Sequence, residues 1–205
     1  MPKTIAHRML ILSLLLLTSS LAARPSPCRL DLGVCQWYDS CLETQVQCGS
    51  EGYPIGFGKH YCDRFGAQQF ATSDGKLWLE DVRTCLQRAL LPLANEQEDC
   101  DEVERVGFGS HPDCYLGESP HANPGAPSIC FLAIKDLRTI VRTLEGKAWR
   151  NPQIQRQMAS VASKCAARLG SRLITSILNP GGESASWDEH HQFWLEIEEK
   201  LRPIP

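Results

Sequence analysis

Apolar residues recur at three- and four-residue steps along most of this chain, and that period places them on one face of an α-helix. It predicts helices over five stretches: residues 36–47, 76–93, 97–109, 132–146 and 151–178. The alternation of apolar and polar residues that is typical of β-strands is scarce. The pattern therefore predicts an all-α fold, a helical bundle with loops at the glycine-rich stretch 49–58 and the Pro-, Gly- and Ser-rich stretch 117–128.

Signals for helix starts and stops accompany this periodicity. Asn151-Pro152 combines an N-cap residue with proline at the first helical position, and Asn179-Pro-Gly-Gly182 is a stop signal. The acidic cluster Asp99-Cys-Asp-Glu102 is expected at a helix N-terminus, where negative charge interacts favourably with the helix dipole. The long helix is therefore expected to begin at 151–152 and to end before residue 182.

The tail, residues 183–205, carries its own helix signal. Ser186-Trp-Asp-Glu189 fits a capping box, in which the serine and the glutamate satisfy each other's backbone donors. It predicts a C-terminal amphipathic helix. The apolar face is expected to carry Trp187, His190 or His191, Trp194, Ile197 and Leu201. Two hypotheses stay open: the tail helix folds back onto the core, or it docks a partner.

The first 23 residues are typical of a signal peptide. Lys3 and Arg8 precede the largely apolar block at residues 9–17, and small residues follow at 20–23. The block is too short to span a bilayer, and no later stretch is long enough, so no membrane span is expected. We therefore expect a secreted, extracellular protein, with a disulfide-rich helical domain over 24–182 and the tail helix after it.

The charge of the chain is mildly acidic. There are 24 acidic residues against 21 basic ones, a net charge of −3, and removal of the signal peptide would take away two more basic residues. Nucleic acids and anionic membrane surfaces select basic patches, so neither is expected as a partner.

Cysteine content is the strongest chemical signal. All ten cysteines lie downstream of the signal peptide: Cys28, Cys35, Cys41, Cys48, Cys62, Cys85, Cys100, Cys114, Cys130 and Cys165. An even number of cysteines in an exported chain predicts that all are paired in disulfides. Ten cysteines allow on the order of a thousand pairings, and the spacing alone does not choose among them. Because all ten cysteines are expected to pair within the chain, any homodimer is expected to be non-covalent.

One local motif resembles a catalytic site. Ser110-His111-Pro112-Asp113-Cys114-Tyr115 is similar to the His-Asp-Cys-Tyr motif of secreted phospholipase A2, in which a helix-borne histidine activates water. Pro112, however, is expected to obstruct a continuous helix through the pair. One hypothesis is therefore a hydrolase that uses His111 and Asp113. The other is that Asp113 and Tyr115 only position a disulfide.

Signals for other chemistry are weak. His60-x-Cys62 and His190-His191 are the only close pairs of metal-binding residue types, and neither has the spacing of a zinc site. There is no Gly-x-Ser-x-Gly motif of a nucleophilic serine and no phosphate-binding glycine loop. We therefore predict no enzyme activity, no cofactor and no bound metal.

A set of short motifs resembles the stanniocalcin family over about residues 28–178. The motifs are Cys41-Leu-Glu43, Tyr61-Cys62-Asp-Arg-Phe65, Phe70-Ala-Thr-Ser-Asp-Gly-Lys76, Cys85-Leu86, Cys114-Tyr115 and Ser128-Ile-Cys130, with Cys48, Cys100 and Cys165 in the same order. Stanniocalcins are secreted disulfide-linked glycoprotein hormones that act on calcium and phosphate balance, and family members also inhibit pappalysin metalloproteinases.

The resemblance implies both a pairing and a function. The implied disulfides are Cys28–Cys41, Cys35–Cys62, Cys48–Cys100, Cys85–Cys114 and Cys130–Cys165. The implied function is that of a hormone-like signalling protein that binds an extracellular receptor or other protein partner. The alternatives are the phospholipase-type hydrolase and a small extracellular lipid-binding module, which the apolar helix faces permit.

Overall fold

The computed structural model describes residue 28 and residues 33–96, 98–144, 148–178 and 184–201. These ranges contain no β-strand, and the predicted all-α, disulfide-stapled fold is confirmed. The α-helices are α1 (Thr44–Val46), α2 (His60–Gly66), α3 (Ser73–Glu96), α4 (Cys100–Leu116), α5 (Ile134–Thr143), α6 (Pro152–Leu178) and α7 (Ser184–Leu201). The predicted signal peptide, 1–23, lies outside the described residues.

Shorter helical pieces connect these elements. Two are π-helical, Tyr38–Glu43 and Tyr53–Lys59, and two are 3₁₀ turns, Ile129–Phe131 and Ala148–Arg150. Within the described ranges, no helix has both the length and the apolarity needed to cross a bilayer.

Three helix starts follow from side-chain capping. Asn151 accepts a hydrogen bond from the amide of Gln153 at 2.8 Å, and Asp99 accepts one from the amide of Glu102 at 2.8 Å. Each satisfies a donor that the first turn leaves unpaired. The predicted N-cap at Asn151 and the predicted helix N-terminus at the acidic cluster 99–102 are confirmed. Helix α3 has a cap of the same kind, because the hydroxyl of Thr72 accepts from the amide of Gly75 at 3.0 Å.

A buried carboxylate holds the α3 cap in place. Asp136 of helix α5 is fully buried and accepts from the amide of Ala71 at 2.6 Å and from the hydroxyl of Thr72. Gly75 permits this approach, since a Cβ there would lie 2.6 Å from a carboxylate oxygen of Asp136. The segment 70–76 thus joins the start of α3 to α5.

The structure corrects the prediction that Pro112 obstructs a helix through His111 and Asp113. Helix α4 was expected to end at residue 109 but continues to Leu116, with Pro112 inside it. A proline at this position cannot donate to the carbonyl four residues earlier, which is that of Phe108. The side chain of Gln157 on α6 donates to that carbonyl instead, at 2.8 Å. The missing backbone bond is therefore replaced from a neighbouring helix.

The loop predicted over 49–58 is also wrong in part, because Tyr53–Lys59 forms a π-helical turn. Its glycines allow close packing: a Cβ on Gly58 would lie 2.5 Å from the ring of Tyr38.

Helix α7 begins at Ser184, two residues before the predicted capping box. The predicted loop at 117–128 contains no helix or strand.

The interior consists of two adjoining hydrophobic clusters. The first joins Trp78 and Val82 of α3 to buried residues of α5, α6 and α7, including Leu137, Leu169 and Trp194. The second joins the two π-helical segments to α4 and to the start of α6. Helix α3 contributes to both clusters, so it forms the centre of the fold.

Five disulfides link these elements, and all ten cysteines are paired. The bridges are Cys28–Cys41, Cys35–Cys62, Cys48–Cys100, Cys85–Cys114 and Cys130–Cys165. These are the same pairs that the stanniocalcin resemblance implies. In the chain-entropy model a loop of the size closed by Cys130–Cys165 contributes about 3–4 kcal/mol to the free energy of unfolding. Disulfides in this number are typical of proteins that mature in an oxidising compartment.

The tail helix α7 packs on the core. His190 Nε2 donates to the carbonyl of Leu132 at 2.8 Å, and Trp194 and Ile197 are buried beside α6. Leu201 is partly buried against the same surface. The described part of the tail therefore fits the hypothesis of folding back; the side chain of Trp187 lies outside the described residues.

Candidate functional site

A partly open, aromatic-walled cavity of about 50 Å³ lies next to His111. We call it the aromatic cavity; its wall includes Tyr38, Tyr53, Phe57, Trp78, Arg83, His111 and Tyr115. The tyrosines and the histidine combine apolar rings with polar tips. Buried polar atoms of this kind require hydrogen-bond partners, but the cavity is far smaller than the roughly 300–1,000 Å³ of a small-molecule site.

Three elements bring these side chains together. Tyr53 and Phe57 are one turn apart on the second π-helical segment, His111 and Tyr115 are one turn apart on α4, and Trp78 and Arg83 come from α3. Residues four apart lie on one helix face, so Tyr53 and Phe57 point in a common direction, as do His111 and Tyr115. Trp78 Nε1 donates to the carbonyl of Tyr115 at 3.1 Å, which ties α3 to the end of α4.

The absence of a side chain on Gly107 leaves room for the ring of Tyr53 to pack against α4. A Cβ on Gly107 would overlap the ring of Tyr53, and Gly107 itself is buried. The rings of Tyr53 and Phe108 meet edge to face at 5.2 Å between centroids, a favourable geometry for aromatic pairs. Gly109, two residues further, is exposed and has no atom within 4 Å of its added Cβ. The absence of a side chain therefore matters for packing at Gly107 and not at Gly109.

His111 is enclosed by rings and is only 4% exposed. Its centroid lies 5.4 Å from that of Tyr115 and 5.7 Å from that of Phe57. Nδ1 lies 2.6 Å from the carbonyl oxygen of Gly107; because a carbonyl only accepts, Nδ1 carries the proton. Burial lowers the pKa of His111 from 6.5 to about 4, although the backbone hydrogen bonds oppose the shift. The imidazole is therefore neutral at physiological pH, with Nε2 as its acceptor.

Two buried donors of the cavity wall have no hydrogen-bond partner among the described residues. They are the hydroxyl of Tyr53 and Nε of Arg83. Arg83 uses Nη2 to donate to the carbonyl of Cys62 at 3.1 Å. Burial raises the pKa of Tyr53 well above its ordinary value, and the nearby Tyr38 and Tyr115 raise it further. The hydroxyls are consequently protonated and able to donate.

The structure does not bring His111 and Asp113 together as a catalytic pair. Residues two apart on a helix point to different faces, and the side chain of Asp113 is 55% exposed on the surface. Asp113 forms an ion pair with Lys164 at 3.3 Å, and Lys164 also pairs with Glu118 at 3.2 Å. Among the described residues that line the cavity, none is a carboxylate. His111 therefore lacks the carboxylate partner that the phospholipase comparison requires.

Three side chains of the pairs considered as metal ligands make other contacts. Cys62 is bonded to Cys35, and His190 is engaged with the carbonyl of Leu132. His60 is exposed and lies edge to face with Tyr61. Across the part of the chain that the structure describes, no three His, Cys, Asp or Glu side chains are grouped so as to hold a metal ion.

Sequence reasoning did not identify the aromatic cavity. The signal that could have indicated it is the four-residue spacing of Tyr53, Phe57 and Tyr61 together with that of His111 and Tyr115. That signal was obscured because residues 49–58 were predicted to be a loop.

Comparisons of this chain with protein-family models, with curated proteins and with solved structures find no match. Function is therefore inferred from the chain's own residues, and from the resemblance of its motifs to those of the stanniocalcins.

Proposed function

We propose that this chain is a secreted, hormone-like signalling protein that binds an extracellular receptor or other protein partner and performs no catalytic step. Regulation of calcium and phosphate balance is the process that the stanniocalcin resemblance implies. A homodimer of this protein would be non-covalent, because every one of the ten cysteines is used within the chain.

The observation that carries this proposal is the set of five disulfides. The bridges join the N-terminal segment to α2, α3 to α4, and the turn at Ile129–Phe131 to α6. Such cross-links suit a protein that must keep one surface shape in the extracellular medium, where a partner recognises it. The family resemblance implies the same pairing, and this agreement supports the proposal of a hormone-like role.

The position of His111 supports binding over hydrolysis. A general base must reach the proton that it abstracts and is usually oriented by a second polar group. His111 is enclosed by aromatic rings, and Asp113 is engaged on the surface with Lys164. The phospholipase hypothesis would need these two side chains to act together.

The test is a flux measurement on cultured epithelial cells. Calcium and phosphate uptake are recorded after addition of the folded protein, and the matched control is the same protein after reduction and alkylation. The proposal predicts a dose-dependent change with the folded protein and none with the control. Equal fluxes in both arms would contradict a hormone-like action on these ions.

A second assay addresses the hydrolase alternative directly. Phospholipid vesicles are incubated with the protein and calcium, and released fatty acid is measured for the wild type and for His111→Gln. The proposal predicts the same background release from both forms. Calcium-dependent release that His111→Gln abolishes would replace the proposal with an enzymatic function.

A further inference from the structure

We propose that the open cleft between α3 and the loop 123–127 binds a lysine side chain of the extracellular protein partner. We call it the outer cleft; its volume of about 570 Å³ lies within the roughly 300–1,000 Å³ of known binding sites. The proposal rests on the proposed function, which supplies the partner. One face of α3 and the loop form the lining, which includes Leu77, Glu80, Asp81, Thr84, Asn123, Pro124 and Pro127.

Two side chains of α3 hold the loop in place, so the outer cleft is formed before a partner binds. Asp81 Oδ1 accepts a hydrogen bond from the amide of Asn123 at 2.8 Å. Arg88 Nη1 donates to the carbonyl of His121 at 3.0 Å and to Oδ1 of Asn123 at 2.9 Å. Within the loop, the amide of Ala126 donates to the carbonyl of Asn123 at 3.1 Å. A site whose geometry is already set loses less conformational entropy on binding.

Asp81 supplies a fixed acceptor to the outer cleft. The residue is only 6% exposed, and its Oδ1 is occupied by the amide of Asn123. Oδ2 has no hydrogen-bond partner among the described residues and is not one of the fully buried atoms that lack one, so it is accessible to solvent. Because Asp81 lines the outer cleft, this accessible oxygen faces it. A carboxylate oxygen held in this way is a strong acceptor for a cationic donor.

The charge of the outer cleft is complementary to a cation. Glu80, exposed on α3, adds a second carboxylate to the lining. Arg83 also contributes to the lining, but its guanidinium points toward α2: Nη2 donates to the carbonyl of Cys62 at 3.1 Å, and a Cβ on Gly66 would overlap the same nitrogen. Neither of these α2 residues lines the outer cleft. The two carboxylates therefore determine which charge the cleft attracts.

The single free oxygen of Asp81 favours lysine over arginine. A guanidinium gains most from a carboxylate when both oxygens accept from its planar fork, but Oδ1 of Asp81 already accepts from a backbone amide. A lysine ammonium has three donors, which reach separate acceptors such as Oδ2 of Asp81 and the carboxylate of Glu80. The lysine stem would lie against the apolar part of the lining, formed by Leu77, which is 53% exposed, Pro124 and Pro127.

The experiment is a nuclear magnetic resonance titration of the isotope-labelled, folded protein with three probes: the Nα-acetyl amides of lysine, arginine and norleucine. Norleucine has the lysine stem without the ammonium. The proposal predicts saturable shifts of the backbone amides of Asp81, Thr84, Asn123 and Ala126 with the lysine probe. It predicts weaker binding of the arginine probe and none of norleucine. Tighter binding of arginine, equal binding of norleucine, or no saturable shift with lysine would overturn the proposal.

Asp81→Asn tests the assigned acceptor. Asparagine keeps an oxygen for the amide of Asn123 but replaces Oδ2 with an amide nitrogen and removes the charge. Affinity for the lysine probe should fall by about tenfold or more, since a hydrogen bond to a charged group is lost. Glu80→Gln, which leaves the bonds to the loop intact, should also weaken binding. The matched control is Asp101→Asn, exposed on α4 outside the lining, which should bind as the wild type does. Unchanged affinity in both cleft variants would overturn the proposal.

The flux measurement, repeated with Asp81→Asn, separates this proposal from the signalling role. The proposal predicts that the variant gives a much weaker flux response than the wild type. An equal response from the two forms would overturn the outer cleft as the partner site and leave the signalling role intact. Binding of the lysine probe by a wild type that changes no flux would support the lysine site and contradict the action on these ions.

Discussion

The side-chain amide of Gln157 donates a hydrogen bond to the carbonyl of Phe108 over 2.8 Å, linking α6 to α4. Pro112 makes this contact necessary, because proline has no amide hydrogen to donate to Phe108. Gln157 is 7% exposed, so neither group has ready access to water. A hydrogen bond between two helices that are far apart in sequence thus replaces the backbone hydrogen bond that Pro112 cannot form.

Gln157→Leu is expected to lower the free energy of unfolding by about 1–3 kcal/mol, because it leaves a buried carbonyl without a donor. The measurement is urea-induced unfolding followed by circular dichroism. In a Pro112→Ala background the amide of residue 112 is able to donate, so the same substitution should cost less. Strictly additive effects in this double-mutant cycle would show that Gln157 and Pro112 are not coupled.

Gly107→Ala and Gly109→Ala should change stability in opposite directions. The methyl group at 107 would overlap the ring of Tyr53, and overpacking of this kind costs about 1–3 kcal/mol. At 109 the methyl group meets open space. Because alanine favours a helix more than glycine does, the free energy of unfolding should rise by about 0.5–1 kcal/mol. Unfolding midpoints measured side by side provide the comparison. A destabilised Gly109→Ala with a neutral Gly107→Ala would contradict this packing.

The cap of α3 gives a third prediction. Thr72→Val removes the hydroxyl that accepts from the amide of Gly75 and donates to Asp136. Loss of an N-cap side chain costs about 0.5–2 kcal/mol, so Thr72→Val should unfold at lower denaturant concentration. Thr72→Ser keeps the hydroxyl and serves as the control, which should stay closer to the wild type. If the serine variant were the weaker of the two, the hydroxyl would not be the stabilising group.

Stability should fall between pH 7 and pH 4 because of His111. Its pKa in the folded protein, about 4, lies below its unfolded value of 6.5, so the unfolded chain binds more protons in this window. The free energy of unfolding is therefore highest above pH 6.5 and decreases toward pH 4, by roughly 3 kcal/mol from this group. Unfolding is measured at several pH values for the wild type and for His111→Gln, which should show a shallower decrease. The matched control is His60→Gln, since the imidazole of His60 is exposed.

The same slope in wild type and His111→Gln would mean that the imidazole is already solvated or charged in the folded protein. The aromatic enclosure of His111 would then be wrong. A slope that changes in His60→Gln instead would assign the pH dependence to the surface.

Sequence reasoning predicted the elements whose signals are local. Asn151 caps its helix as predicted, because an N-cap interacts only with the residues that follow it. The acidic cluster that contains Asp99 lies at a helix N-terminus, as predicted. The apolar face of the tail helix also follows from spacing alone, since His190 and Trp194 are four residues apart. Such features can be predicted from sequence because the residues that determine them lie within one or two helical turns of each other.

The features that were missed depend on residues far apart in the chain. Pro112 was expected to interrupt a helix, and only Gln157, 45 positions later in the sequence, makes its inclusion tolerable. Gly58 was assigned to a loop, although its absent side chain makes room for Tyr38. The aromatic cavity forms only where α3, α4 and a π-helical turn pack together, and no short stretch of sequence indicates that packing.

Five bridges within one chain hold the elements of this fold together, and peptide mapping of the unreduced protein tests them most directly. The protein is digested without reductant after alkylation under denaturing conditions, and cross-linked peptides are identified by mass spectrometry. We predict the pairs Cys28–Cys41, Cys35–Cys62, Cys48–Cys100, Cys85–Cys114 and Cys130–Cys165, with no alkylated cysteine. An alkylated cysteine, a different pairing or a bridge between two chains would contradict it.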